Sequence, residues 1–128
     1  MYLALLVDGS NQSVNIIASP EGETDIEEVA STNPEKIFSL PINTILGPSD
    51  FHVREILDFL SLEKNLFSQL NKIIRGLYKL YLDKDCSLIE INPLILNEDN
   101  EIRLLFQLFL EQLLLYYHRF LKTKFTPL

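Results

Sequence analysis

The sequence is poor in several residue types on which whole classes of protein depend. Its 128 residues contain one cysteine, Cys86, and no tryptophan, which excludes a disulfide framework and a cysteine-based zinc site. It contains no Rossmann or Walker glycine loop and no GxSxG nucleophile motif. Residues 1–20 lack the basic head, the cleavage site and the arginines of a targeting segment, which predicts a cytosolic chain.

Basic residues are also scarce. The chain has 11 Lys+Arg against 18 Asp+Glu, a formal net charge of −7. Residues 1–64 hold 11 acids and 3 bases, whereas residues 65–128 hold 7 acids and 8 bases. Because DNA and RNA binding need a basic face, the charge argues against a nucleic-acid partner. The hydrophobic content of 47% is ordinary for a globular domain.

Long apolar runs are absent too. The most apolar segment, residues 104–117, is interrupted by Gln107, Glu111 and Gln112, so it falls short of the ~20 residues that span a membrane. Three basic residues follow this segment, at positions 119, 122 and 124. A helix that docks on a partner surface is the favoured interpretation, and an interfacial membrane helix remains the alternative.

Apolar patterning divides the chain into short strands and amphipathic helices. The predicted elements are strands at residues 2–7 and 14–18, a short helix capped by Thr24, a strand at 36–42, helices at 49–60 and 63–82, and a hairpin of residues 87–96 and 101–105. They predict an α+β fold with a mixed or antiparallel sheet of about five strands and two or three helices on one face. Residues 1–105 form this domain, and residues 106–128 form an apolar tail predicted to be helical.

The segment LIEINPL carries the most informative polar pair. Glu90 and Asn92 lie two residues apart on a predicted strand, so their side chains face the same side. A carboxylate and an amide oxygen suit a hard cation such as Mg²⁺, which completes its shell with water and phosphate. From spacing alone, an exposed strand face with two polar groups is the favoured interpretation.

The remaining reactive side chains are isolated. His52 and His118 have no cysteine or acid at ligand spacing, and Cys86 has no basic neighbour except Lys84. We expect packing or surface positions for both histidines, and a small buried apolar role for the cysteine.

Several blocks of sequence stand in a characteristic order and spacing through residues 1–105. They are Tyr2–Asp8 with Ser10, Ile17-Ala18-Ser19, Glu21-Gly22, Asp25-Ile26-Glu27, Val29-Ala30, Gly47-Pro48 with Phe51 and Arg54-Glu55, Leu82-Asp83-Lys84-Asp85, and Leu88–Leu94 (LIEINPL). In these blocks the chain resembles the β subunit of succinyl-CoA synthetase, also called succinate–CoA ligase (ADP- or GDP-forming).

The resemblance implies a partial ATP-grasp domain that binds ATP/ADP or GTP/GDP with Mg²⁺. In this family an α subunit carries a phosphohistidine that passes a phosphoryl group between the nucleotide and succinate, and CoA then takes the succinyl group. By resemblance, Asn92 is the metal ligand and Glu90 is the acid that lies near the phosphorylated histidine. The family works in the cytoplasm of bacteria and in the mitochondrial matrix of eukaryotes.

The sequence departs from the family pattern at several positions. Gly9 replaces the arginine of Val-Asp-Arg-Ser, and Glu23 replaces the second glycine of Glu-Gly-Gly. Glycine takes backbone angles that glutamate resists, so we expect the turn at Glu23 to be strained or rebuilt. Phe106 follows Leu105 where the family has an aspartate that is the second metal ligand.

The family also has a phosphate-contacting lysine, a glycine-bearing loop and an acidic residue before its first strand, and a CoA-ligase domain after the ATP-grasp domain. We expect this chain to be a piece of such a subunit, from a split or decayed gene, with residues 106–128 read in a shifted frame. By this resemblance we expect two contacts to be missing, the phosphate-contacting lysine and the second metal ligand. Each lost charge-assisted contact weakens nucleotide binding by ~1.5–3 kcal/mol, so we expect no useful catalysis from the chain alone. The alternative is a non-catalytic interaction module derived from the same fold.

Overall fold

A computed structural model describes residues 1–9 and 13–104. The strands are β1 (Tyr2–Asp8), β2 (Ser13–Ser19), β3 (Phe38–Ile42), β4 (Leu88–Ile91), β5 (Leu94–Leu96) and β6 (Ile102–Leu104), and the helices are α1 (Ile26–Thr32), α2 (Asp50–Phe59) and α3 (Phe67–Lys84). The predicted helical tail, residues 106–128, lies outside the described residues. No helix in the described part of the chain is long and apolar enough to cross a bilayer.

Four strands form one sheet in the order β3-β2-β1-β4, and β5 and β6 form a separate two-stranded sheet. Every pair among these strands is antiparallel. The predicted α+β fold is therefore confirmed, with the antiparallel rather than the mixed arrangement. The predicted β1–β2 hairpin is present. The predicted strand at residues 87–96 is instead divided into β4, which pairs with β1, and β5, which forms the hairpin with β6. The division falls at Pro93, which lacks the N–H that a continuous strand would need there.

The core lies on one face of the four-stranded sheet. Leu3 is paired with Ala18 on one side and with Ile91 on the other, and all three side chains are buried in one apolar cluster. Helices α2 and α3 pack against each other and contribute to the same cluster. Their buried residues are Val53, Ile56, Leu57, Leu70, Ile74, Leu77 and Tyr78.

His52 joins the start of α2 to the edge strand β3. Its Nδ1 accepts a hydrogen bond from the Ser49 N–H at 3.0 Å, and its Nε2 lies 3.0 Å from the carbonyl oxygen of Pro41. Ser49 and His52 together form a capping box that satisfies backbone groups at the helix start. This histidine has a structural role, as its isolation in the sequence predicts, and Cys86 is buried as expected.

The start of α1 differs from the prediction. The N-cap is Asp25 rather than Thr24, and its Oδ1 accepts the N–H of Glu27 at 2.9 Å. Threonine and aspartate both cap helices well. The helix begins one residue later than the sequence pattern predicts, so Asp25 occupies the N-cap position.

The turn between β2 and α1 combines a close approach with a left-handed residue. A Cβ atom added to Gly22 would lie 2.8 Å from the Met1 nitrogen and 3.3 Å from the Pro93 Cβ, so only glycine fits without a shift. The next residue, Glu23, has φ 63°, a conformation that costs an L-amino acid roughly 1–2 kcal/mol. The turn keeps the geometry of a glycine at position 23 although the sequence has glutamate there.

We expect Glu23→Gly to stabilise the fold by about 1 kcal/mol, because it removes the left-handed penalty at this position. The measurement is the free energy of unfolding from urea titration. The matched control is Glu28→Gly within α1, where glycine should destabilise by about 1 kcal/mol. Destabilisation by both changes would contradict the account of this turn.

Candidate functional site

Glu90 lies on the sheet face opposite the helices. Its neighbours Ile89 and Ile91 are buried in the core cluster, so the alternation along β4 turns Glu90 to the other side, where it is half-buried. Its cross-strand partner on β1 is Ala4. The predicted facing of the strand is therefore correct for Glu90.

Asn92 lies just beyond the end of β4 and is half-buried. The bond between Asn92 and Pro93 is cis. After Pro93 the chain lies beside the start of β1. The Leu94 N–H donates to the carbonyl oxygen of Met1, the residue before β1, at 2.7 Å. Asn92 therefore occupies a corner between the four-stranded sheet and β5.

The Glu90 carboxylate is held by Tyr2. The phenol hydroxyl donates to Oε2 of Glu90 at 3.0 Å, and the Tyr2 side chain is 3% exposed. Burial raises the pKa of Tyr2 well above its usual range, and the charge of Glu90 and its hydrogen bond raise that pKa further. The phenol consequently stays protonated and remains a hydrogen-bond donor to the carboxylate.

The Asn92 amide is held by a different group. The backbone N–H of Glu23, the left-handed turn residue, donates to Oδ1 of Asn92 at 2.7 Å. A carboxamide oxygen has two lone pairs, so one hydrogen bond leaves acceptor capacity on this atom. The turn thus orients the Asn92 side chain and sets which atom of the amide faces Glu23.

The donor set suits a cation that brings further ligands with it. Among the described residues, no group of three or more histidine, cysteine, aspartate or glutamate side chains gathers into a metal site. Mg²⁺ commonly takes only one or two protein oxygens and completes its shell with water and substrate phosphates. An amide oxygen at Asn92 fits that mode of binding and does not fit a cage made entirely of protein ligands.

Two cavities lie away from this pair. One, of about 230 Å³, is lined in part by Glu21, Asp25, Glu28 and Lys36, and Lys36 forms an ion pair with Glu21. The other, of about 340 Å³, lies beside Arg54 and Phe67. Neither cavity is lined by Glu90 or Asn92.

Sequence reasoning missed the two groups that hold the predicted pair. Tyr2 is 88 residues from Glu90 and Glu23 is 69 residues from Asn92. A local pattern carries no information about either contact. Tyr2 becomes identifiable only when β1 is paired with β4 in the observed register, Ala4 opposite Glu90.

Comparison with known proteins agrees with the resemblance expected from the sequence blocks. A family model described as an ATP-grasp domain matches residues 1–96. The chain is 41% identical over 102 residues to the succinate–CoA ligase [ADP-forming] subunit beta of Desulfotalea psychrophila. It is 44% identical over 102 residues to the protein of that name from Syntrophobacter fumaroxidans, and 43% identical over 102 residues to that from Rhodospirillum rubrum.

Each of these alignments covers 80% of this chain and 26% of the relative. The chain therefore spans about a quarter of the length of the curated relatives that it matches. The family model covers three quarters of the chain, from β1 to the end of β5. By this match, the chain belongs to the ATP-grasp domain family.

Proposed function

We propose that the chain is part of the nucleotide-binding domain of a succinate–CoA ligase β subunit. The reaction of the whole enzyme would convert succinyl-CoA, phosphate and ADP or GDP into succinate, CoA and ATP or GTP. Relatives named ADP-forming ligases support the adenine nucleotide in particular. An α subunit would be the protein partner, since the relatives are named beta subunits.

The observation that carries the proposal is the oriented amide of Asn92. Its oxygen accepts the Glu23 N–H at 2.7 Å, just beyond the end of β4. In the proposed site Asn92 would be the protein ligand to the Mg²⁺ of the nucleotide. The ion, when bound, neutralises phosphate charge, and the chain's own contribution is to hold this oxygen in place before the nucleotide arrives.

Glu90 has a separate role in this proposal. It offers an anionic acceptor on the sheet face opposite the core, where it would receive the N–H of the α-subunit histidine as that side chain exchanges its phosphoryl group with the nucleotide. Support comes from the geometry of the carboxylate, which is half-buried and hydrogen-bonded at Oε2 by Tyr2. A carboxylate held in one orientation loses less entropy when it meets an incoming donor.

The cellular compartment of the protein is a further part of this proposal. The relatives come from bacteria, which favours the bacterial cytoplasm. A eukaryotic source would favour the mitochondrial matrix.

A second candidate function is that of a non-catalytic interaction module. The observation that favours it is the loop before α2, where Ile45 is 91% exposed and Leu46 is 82% exposed. The loop is well anchored, because the Tyr78 hydroxyl donates to the Thr44 carbonyl at 2.8 Å. Exposed apolar side chains on an anchored loop are typical of protein contacts. A defined oligomer with no affinity for Mg²⁺-nucleotide would favour this function.

We expect the chain to bind Mg²⁺-ADP and Asn92→Ala to weaken that binding roughly 10- to 100-fold, because it removes one contact to a cation. Isothermal titration calorimetry at fixed ionic strength measures the effect. Asn71→Ala is the matched control, since Asn71 lies on α3 and its Oδ1 accepts from Arg75. Equal affinity of the wild-type and Asn92→Ala chains would refute the ligand assignment.

We expect no turnover from the purified chain with succinate, CoA and Mg²⁺-ATP. The chain spans 26% of its relatives, and Phe106 stands where the resemblance implies a metal-binding aspartate. Succinyl-CoA formation is followed by its thioester absorbance, with a complete ligase as positive control. Turnover that depends on all three substrates would overturn this expectation.

The pH dependence of stability should report the Tyr2–Glu90 pair. The pKa of Tyr2 is raised above the unfolded value of 10.0, so its contribution is fully present below pH 10 and is lost as the pH rises towards the folded value. Urea unfolding at a series of alkaline pH values should therefore show a shallower loss of stability in Tyr2→Phe than in the wild type. Identical slopes for the two chains would count against the pair.

A further inference from the structure

We propose that the carboxylate of Glu23 takes part in binding the cation at Asn92, by accepting hydrogen bonds from water molecules that the cation keeps. The inference rests on the proposed function, in which Asn92 would be the protein ligand to the Mg²⁺ of the nucleotide. It deepens that function by adding a charged side chain, from the turn between β2 and α1, beside a ligand that is itself uncharged.

The contacts around Glu23 fix its backbone next to Asn92. The Glu23 N–H donates to Oδ1 of Asn92 at 2.7 Å. Two residues earlier, the Glu21 N–H donates to Oγ of the fully buried Ser19 at 3.1 Å, and Gly22 between them has no room for a Cβ atom. The Cα atom of Glu23 is bonded to the nitrogen that contacts the amide oxygen. Its carboxylate, three bonds further on, is therefore within reach of the water shell of an ion bound to that oxygen.

The Glu23 carboxylate has no hydrogen-bond or ion-pair partner among the residues that the structure describes. The side chain is exposed. Two neighbouring acids differ in this respect, because Glu21 forms an ion pair with Lys36 and Glu90 accepts the Tyr2 hydroxyl. Glu23 is thus the carboxylate at this corner that is available to a ligand from outside the chain.

The charge of Glu23 acts on the same corner of the fold. Burial lowers the pKa of the Met1 ammonium, and the nearby charges of Glu23 and Glu21 raise that pKa in opposition. Met1 exchanges hydrogen bonds with Leu94, two residues after Asn92. The negative charge of Glu23 is therefore felt at the start of β1, beside the Asn92–Pro93 corner.

The conformation of Glu23 supports a role for its side chain. With φ 63°, the residue occupies a region that glycine adopts at no steric cost and that other residues adopt under strain. A glycine at this position would supply the same N–H to Asn92. The backbone contact alone therefore does not account for a glutamate here, and what the glutamate adds is its charge. Strained positions of this kind cluster at ligand sites.

The chemistry of Mg²⁺ gives that charge a use. The ion loses water reluctantly and keeps several water molecules when it binds protein and phosphate oxygens. A carboxylate accepts hydrogen bonds and donates none, so Glu23 is suited to the waters on the cation and offers nothing to the phosphates. Because the side chain is exposed, solvent and salt screen its charge, and the contribution to binding is moderate.

The test follows the binding of Mn²⁺-ADP to the full chain by nuclear magnetic resonance, through the paramagnetic broadening of the Asn92 side-chain amide. Glu23→Gln removes the charge and keeps the side-chain size and the backbone N–H. We expect this variant to need roughly three- to tenfold more Mn²⁺-ADP for the same broadening, and the difference to shrink at high ionic strength. Glu28→Gln is the matched control, since it removes one exposed charge from α1 and should leave the titration unchanged. Equal or tighter binding by Glu23→Gln would overturn the proposal.

Two further variants separate a role in cation binding from a role in folding. Glu23→Gly keeps the N–H that contacts Asn92 and relieves the left-handed strain, so it should be more stable than the wild type and yet bind Mn²⁺-ADP as weakly as Glu23→Gln. Glu23→Asp keeps the charge and should bind more tightly than Glu23→Gln. Wild-type affinity in Glu23→Gly would show that the backbone N–H is sufficient, against the proposal.

The behaviour of Asn92 distinguishes this inference from the proposed function. If Asn92→Ala weakens nucleotide binding and Glu23→Gln does not, only the role of Glu23 is refuted. If Asn92→Ala leaves the binding of Mg²⁺-ADP unchanged, the ligand assignment fails and the proposed function fails with it. If Mn²⁺-ADP does not broaden the Asn92 amide of the wild-type chain, no cation binds at this corner, and both are refuted.

Discussion

The antiparallel pairing of β1 with both β2 and β4 is the constraint on which the rest of the structure depends. A shift of one residue in either pairing would exchange the two faces of β1. Leu3 and Leu5 would leave the core, and Tyr2 would leave the face that carries Glu90. The same register therefore builds the apolar core on one side of the sheet and the polar pair on the other. Core packing and site geometry are specified together, so the buried leucines also stabilise the position of the phenol.

The turn between β2 and α1 has a conformational cost at Glu23, and the contacts around the turn explain why the fold tolerates it. Gly22 allows the backbone to pass close to Met1 and Pro93, and Glu23 takes a left-handed conformation. In that conformation the Glu23 N–H bonds to the Asn92 amide oxygen. A glutamate in a position suited to glycine is strained locally, and the surrounding contacts hold it there. The turn retains its shape because the chain on either side is fixed, by β2 before it and by α1 after it.

Local sequence patterns predicted much of the fold, but they could not predict contacts between residues far apart in the sequence. The alternation that sends Ile89 and Ile91 inward and Glu90 outward is readable from adjacent residues, as is the periodicity of α3. Helix starts were less accurate: α3 begins at Phe67 after a 3₁₀ turn, whereas the periodicity extends back to residue 63. The donors that orient the site come from residues 88 and 69 positions away. No single-sequence pattern encodes such pairs, because they exist only once the strand order is known.

The strand order has one more consequence, which concerns the two outer edges of the four-stranded sheet. Among the described strands, β3 and β4 are the outer members of the four-stranded sheet, and an outer strand with free backbone groups is a template for another chain. β3 contains Pro41, which has no N–H to offer, and β4 is four residues long and is followed by the Asn92–Pro93 corner. The missing N–H of Pro41 and the short length of β4 thus make each edge of the sheet a poor template for pairing with a strand of another chain.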